Sequence, residues 1–174
     1  MQTDTLRTIE VIHTLGPTGT NCEKAAKEWY KRQGRAGTVK LYQTLEQALE
    51  EMPRTPANAL LGCIVYPELH TLVFSNLNTL TLSDCFIMPT FNMVLAARHQ
   101  GPICSVATHP APQLLASDEY EKTIVTSNSE AAIQCSAGAV DACITTLPSA
   151  THYNLHIKED FGEVPMGFSI HTVK

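Results

Sequence analysis

Residues 13–26 read HTLGPTGTNCEKAA, and the reading of that junction decides the fold. The run before it, Ile9 to Leu15, alternates and is rich in β-branched side chains, which predicts a strand. After it, NCEKAAKEWYKRQG places Cys22, Ala25, Ala26, Trp29 and Tyr30 on one helical face and stops at Gly34. Two readings of the turn stay open. Bare amide N–H groups at the start of a helix form a cradle for an anion. Equally, Gly16, Pro17 and Gly19 make a tight turn and Thr20 or Asn21 caps the helix.

Working outward, Gly37 to Gln43 reads as a second strand, and Thr44 to Met52 as a helix with Thr44 as N-cap. ALLGCIVYP is a continuous apolar run, as in a strand buried on both faces. ELHTLVFSNLNTLTL predicts a short helix and a strand or connector, with Leu72, Leu77, Leu80 and Leu82 in the core. Cys85 to Gln100 reads as two strands hinged at Met88–Pro89. Ile103–Ala107 is a strand, followed by a turn at Thr108–Pro112 and a helix from Pro112 to about Ser117. Thr123–Thr126, a turn at Ser127–Ser129 and a helix from Glu130 to about Ala137 repeat the idea. Ala142–Thr145 is a strand before a short helix, and Val164–Val173 closes the chain as a final strand. Strands alternating with helices are the signature of a parallel α/β layer. No internal repeat, low-complexity tract or long linker interrupts the chain.

The 174 residues suffice for one ordinary domain or two small lobes, and 44% hydrophobic against 17% charged residues implies a sizeable core. A net charge of −5 with no basic stripe argues against nucleic acid and acidic membrane surfaces as partners. The six cysteines form no CxxC, and none pairs with histidine at zinc-finger spacing, so neither metal nor disulfide framework is expected. Most lie in apolar stretches, which predicts buried reduced thiols. MQTDTLRTIE has no apolar signal core and no run reaches membrane-spanning length, so a cytoplasmic location is expected.

Three strand-to-helix junctions carry polar clusters: GPTGTN, THPAP and TSNSEAA. Ligands of open α/β sheets sit off the carboxyl ends of strands. Thr18, Gly19, Thr20, Thr108, Ser127, Asn128 and Ser129 are therefore candidates for holding a small carboxylate, with simple capping as the alternative. His109 is the leading candidate for proton transfer; otherwise it is a turn residue bonded to its own backbone. Glu68 follows a buried strand, as an acid of altered proton affinity or a helix-start residue near the dipole. Arg98 either pairs with a carboxylate or ends a strand.

These motifs, taken together, resemble a known pattern. LGPTGTNCEKAA is similar to the opening motif of the prephenate dehydratase family. GCIVYPEL lies where that family has a strand and turn, THPAP resembles its STHPQ-type turn, and TSNSEAA resembles its STxAA motif. The four occur in the family's order, over about residues 9–174. The resemblance implies a two-lobed α/β fold like a periplasmic binding protein, with substrate in the cleft. One lobe would comprise about residues 9–88 plus 164–174, and the other about 89–163. It implies no cofactor and a dimer or tetramer, and, since the sequence ends at Lys174, no regulatory ACT domain is expected.

The departures matter as much. The dehydratases carry a Thr-Arg-Phe motif, with threonine assigned to catalysis and arginine to a substrate carboxylate; Met166, Gly167 and Phe168 stand here. The family's Glu-Asn pair becomes Glu68-Leu69. A short chain, a PM-x-aromatic-S ending and an SHPSP-type turn bring the antibiotic-pathway branch closest, the bacilysin-type prephenate decarboxylases. The resemblance thus implies a cofactor-free lyase on prephenate or a related cyclic dienyl carboxylate. His109 and Glu68 would be catalytic, and Met166, Gly167 and Phe168 would line the site with the threonines and serines. A tropone-pathway homologue acting on a seven-membered-ring acid or thioester, or a non-catalytic binder of aromatic carboxylates, stays open as an alternative.

Overall fold

The junction at residues 13–26 forms a strand, β1 (Val11–Leu15), a turn, and a helix, α1 (Asn21–Arg32). In the computed structural model, residues 6–174 are described; residues 1–5, part of the stretch read as lacking a signal core, lie outside them. Thr20 caps α1, its Oγ1 accepting from the Glu23 N–H at 3.3 Å. Cys22, Ala25, Ala26, Trp29 and Tyr30 are buried against Ile12, Ala59, Leu61, Phe168 and Ile170. Each large apolar side chain so removed from water contributes about 1.5–3 kcal/mol. The Trp29 indole N–H donates to Asp84 at 2.8 Å, which satisfies the polar group of a side chain that is otherwise core.

The described chain divides into two compact units, one of residues up to Met88 with Pro165–Lys174, the other of Pro89–Val164. In the first, β1 lies between β2 (Thr38–Tyr42) and β3 (Asn58–Cys63), all parallel. β10 (Pro165–Val173) pairs antiparallel with β3, and β4 (Leu80–Pro89) lies outside β10. Helix α2 (Leu45–Glu51), capped by Thr44, and α3 (Leu69–Ser75) complete the unit. Side chains alternate along β3: Ala59 and Leu61 join the core under α1, while Leu60 joins one of Leu45, Ala48, Leu49, Met52, Leu72 and Leu80. Both faces are covered, which is why this strand reads as an unbroken apolar run.

The second unit contains β5 (Met93–Ala97), β6 (Ser105–Thr108), β7 (Glu121–Ile124), α4 (Asn128–Ala137), β8 (Ala142–Thr146), α5 (Leu147–His152) and β9 (His156–Gly162). Its strand order is β7-β6-β8-β5-β9, with β6 parallel to both neighbours and β5 antiparallel to β8 and β9. The first unit's order is β2-β1-β3-β10-β4. Each thus has a strand, β1 or β6, between two parallel neighbours and an antiparallel strand, β10 or β5, beyond one of those neighbours. The arrangement recurs although the sequence has no internal repeat.

Some expectations are corrected. Leu77 and Leu82 are about half exposed, whereas Leu72 and Leu80 are core. The helix expected at Pro112–Ser117 is one 3₁₀ turn, Gln113–Leu115, with Leu114 exposed. Cys85 and Cys104 are exposed, while Cys22, Cys135 and Cys143 are buried; all six thiols are free. The layers are mixed, because β10 and β5 run against their parallel neighbours. Strand β9 was not foreseen: HIKEDFG is an edge strand of mostly polar residues with two register shifts against β5. No described helix is long and apolar enough to cross a membrane.

Two histidines are built into the first sheet. His13 and His171 both stand opposite Leu60, from the strands on either side of it. His13 Nε2 lies 2.9 Å from Asn58 Oδ1 and its Nδ1 2.8 Å from the Tyr42 hydroxyl, so Nε2 carries the proton and Nδ1 accepts. His171 Nε2 lies 2.9 Å from the Ser169 hydroxyl. Burial pushes both imidazoles below the usual histidine range; at His13, the hydrogen bond to Asn58 opposes this and the charge of Lys40 adds to it. Both are neutral in the folded protein and bind protons more readily once unfolded. Their contribution is complete above the ordinary histidine value and is lost as pH falls through the lowered values. Urea unfolding followed through Trp29, the chain's single tryptophan, is expected to show a midpoint that falls between about pH 7 and pH 5. A flat midpoint across that window would mean the pair does not govern the first unit's acid stability.

Candidate functional site

Because β1, β2 and β3 are parallel, their carboxyl ends share one edge of the first sheet. That edge brings together the turn at Gly16–Thr20, the segment from Ile64 to Glu68 and, through the antiparallel return of β10, Met166 and Gly167. The α1 N-terminus there holds an anion of the protein's own. Glu23 Oε2 accepts from the Gly19 N–H at 2.7 Å, and Oε1 accepts from Lys27 Nζ at 2.6 Å. Burial alone would raise this carboxyl, but the bonds from Lys27 and Gly19 and the lysine charge outweigh it and hold it below the ordinary carboxylate range. The Thr20 hydroxyl is also engaged, donating to the Leu15 carbonyl at 3.1 Å while it caps α1. Of the three candidates here, Thr18 alone is exposed. Glu23 was absent from the sequence reading, although its place three residues after a threonine N-cap is the signal of a capping box.

Glu68 lies at the N-cap position of α3, exposed and making no capping hydrogen bond through its side chain. Gly167 is pressed against Ile64: its carbonyl accepts from the Ile64 N–H at 3.0 Å, and a Cβ at Gly167 would come within 2.5 Å of Ile64 Cδ1. Met166 packs on the core beneath α1. The expectation that Phe168 lines a binding site does not hold. Its ring is wholly buried and stacks on Phe86 with centroids 5.7 Å apart, because an odd step along β10 from Gly167 turns it into the core.

The second unit has an edge of the same kind, where β6, β7 and β8 end. His109 begins the turn after β6, partly buried, with Thr108 fully buried beside it and donating to the His109 carbonyl at 3.0 Å. His109 Nδ1 accepts from the Ala111 N–H at 3.2 Å. Burial lowers the imidazole from its ordinary value, so the ring is neutral near pH 7. Ser127 caps α4, its Oγ accepting from the Glu130 N–H at 3.0 Å. Ser129 is buried with its hydroxyl 3.3 Å from that of Ser149, which in turn accepts from Thr146 Oγ1 at 3.0 Å. The Asn128 carbonyl accepts from Thr145 Oγ1 at 2.5 Å. Asn128 Oδ1, however, is buried without a hydrogen-bond partner. An acceptor in that condition costs about 1–3 kcal/mol unless a donor is supplied. Thr145, Thr146 and Ser149 were missed, since nothing in ITTLPS distinguishes a helix start from a polar site wall. Arg98 is elsewhere: it extends from the end of β5 beside the start of β8, with its guanidinium against Gly138 and its charge near Asp141.

The chain thus consists of two α/β units, each with a five-stranded mixed sheet and a polar edge. No family model matches the chain. Among solved structures, a prephenate dehydratase of Arthrobacter aurescens in complex with L-Phe aligns with TM-score 0.72 at 18% identity, over 94% of this chain and 60% of that one. The VFT2 domain of BvgS from Bordetella pertussis aligns with TM-score 0.59 at 16% identity, over 99% of this chain and 84% of that one. The chain thus spans about 60% of the length of the dehydratase, and that similarity is one of fold. By sequence, it is 24% identical to a prephenate decarboxylase of Bacillus subtilis (strain 168), over 97% of this chain and 89% of that protein. The chain is thus similar in fold to a prephenate dehydratase and in sequence to proteins named prephenate decarboxylase.

The buried position of Phe168 gives a stability test. Phe168→Ala is expected to destabilise the first unit by about 3–5 kcal/mol, the usual cost of emptying an aromatic core site. The measurement is the urea midpoint of Trp29 fluorescence, which would barely move if the ring lined an open site.

Proposed function

We propose that this protein is a cofactor-free lyase that decarboxylates prephenate, or a closely related cyclic dienyl carboxylate, without aromatising the ring. The observation that carries the reading is the pair Met166–Gly167. Dehydratases of the family have a threonine and an arginine at the matching positions. Here there is neither a hydroxyl to assist a leaving group nor a cation to hold a carboxylate. The close contact of Gly167 with Ile64 leaves no room for a longer side chain unless Ile64 moves. The relationship to proteins named prephenate decarboxylase supports the same reading.

In this reaction, the bond between the quaternary ring carbon and its carboxylate breaks and carbon dioxide leaves. The electron pair passes into the diene, and a ring carbon takes up a proton. The ring hydroxyl stays, because hydroxide is a poor leaving group without assistance. The carboxylated side chain is held, in this proposal, by the second unit's edge. Ser127 and Asn128 stand at the start of α4, where the helix dipole favours an anion, and His109 and Thr108 stand on the adjoining turn. Asn128 Oδ1 would accept from a hydroxyl of the substrate. The reading carries with it a cytoplasmic homodimer or tetramer serving antibiotic or other secondary metabolism.

The deciding experiment incubates purified protein with prephenate and identifies the product by NMR. A decarboxylated, non-aromatic product that keeps the ring hydroxyl is expected, at a rate unaffected by chelators. Phenylpyruvate formed faster than the spontaneous acid-catalysed background would overturn the proposal.

A further inference from the structure

The THPAP turn fixes the chemistry of His109 more narrowly than residue type alone. The ring is bonded to the backbone two residues ahead, its Nδ1 accepting from the Ala111 N–H at 3.2 Å. Backbone N–H can only donate, so Nδ1 must present its lone pair, and the proton of the neutral ring sits on Nε2. To become imidazolium the ring would have to place a second proton on Nδ1, against that N–H. Partial burial opposes the same charge. The flanking prolines Pro110 and Pro112 restrict the turn's backbone. Among the described residues, Nε2 has no hydrogen-bond partner.

We infer that His109 is a fixed hydrogen-bond donor, offering Nε2–H to an oxygen acceptor of the substrate, and that it does not relay the proton taken up by the ring. The inference rests on the reading of the second unit's edge as a carboxylate site. It gives that edge one directional donor for a carboxylate or keto oxygen, beside the amides at the start of α4. His109 is therefore a binding and orienting residue. The proton delivered to carbon comes from solvent or from another group.

Two measurements test this. In the ligand-free protein near neutral pH, two-bond proton–nitrogen correlations of the His109 ring are expected to show the tautomer protonated on Nε2. The Nδ1-protonated tautomer, or a doubly protonated ring, would overturn the inference whatever the reaction proves to be. With prephenate as substrate, His109→Ala is expected to lose about ten- to a hundredfold in kcat/KM, the scale of one hydrogen bond to a charged group. The loss should appear mainly as a raised KM. His109→Gln, whose amide nitrogen reaches the position of Nε2, should recover most of it. A variant pair equally impaired in kcat with KM unchanged would assign the proton relay to His109 after all. If prephenate binds without being turned over, the proposed reaction fails; the donor role then stands on a shift of the His109 Nε2–H resonance on binding and falls if there is none.

Discussion

The first unit depends on the antiparallel pairing of β10 with β3. The chain leaves that unit after Met88 and returns at Pro165, so the sheet is closed by a strand distant in sequence. Phe168, Ser169, Ile170, His171 and Thr172 stand opposite Cys63, Gly62, Leu61, Leu60 and Ala59. A one-residue slip would turn Phe168 and Ile170 away from the core under α1 and put Ser169 and His171, buried on the opposite face, in their place, which fixes the register. The same register brings Gly167 against Ile64 and so settles what stands at the sheet's edge. The chemistry of that edge and the packing of the unit are one constraint. Met166, packed on the core, and Gly167, close against Ile64, therefore belong to the packing of the unit.

The two helix N-termini at the polar edges differ in a way that bears on where an anion is held. At α1, Glu23 bonds to the Gly19 amide and to Lys27, so the positive end of the helix is already matched by a carboxylate from its own first turn. At α4, the Glu130 N–H donates to Ser127 and its carboxylate accepts from Gln134, and among the described residues no carboxylate bonds to the start of the helix. Asn128 adds a buried acceptor without a donor. Motifs that look equivalent as letters are therefore unequal as sites. The first is a closed turn. The second keeps a buried polar atom unmatched.

Much of this architecture could be read from residues because local signals and packing agree. Thr44 was legible as a cap, and Thr20 and Ser127 as residues that either cap or bind; each accepts from the residue three ahead. The apolar run of β3 was legible because both its faces are buried. Direction was not: nothing in VPMGFSIHTV says that it runs against β3, for that depends on where the intervening unit delivers the chain. Nor was the burial of Phe168 legible, because a site wall and a core position are both aromatic in a pattern and only the register separates them. Strand β9 carries its information in its partner β5 and not in its own polar letters. His109 was legible as a histidine in a turn, but the atom facing outward required the bond to Ala111.

The turn at His109 joins the question of reaction type to that of the proton. A dehydratase needs an acid for departing hydroxide, and the thioether of Met166 cannot supply one. If a neutral imidazole fixed as a donor faces the substrate, the site is built to hold an anion in place and not to assist a leaving group. Decarboxylation suits such a site, since a dispersed transition-state charge gains from leaving water more than it needs an acid. Protonation at carbon then follows the loss of carbon dioxide, and the face of the ring left open to the proton source decides the product.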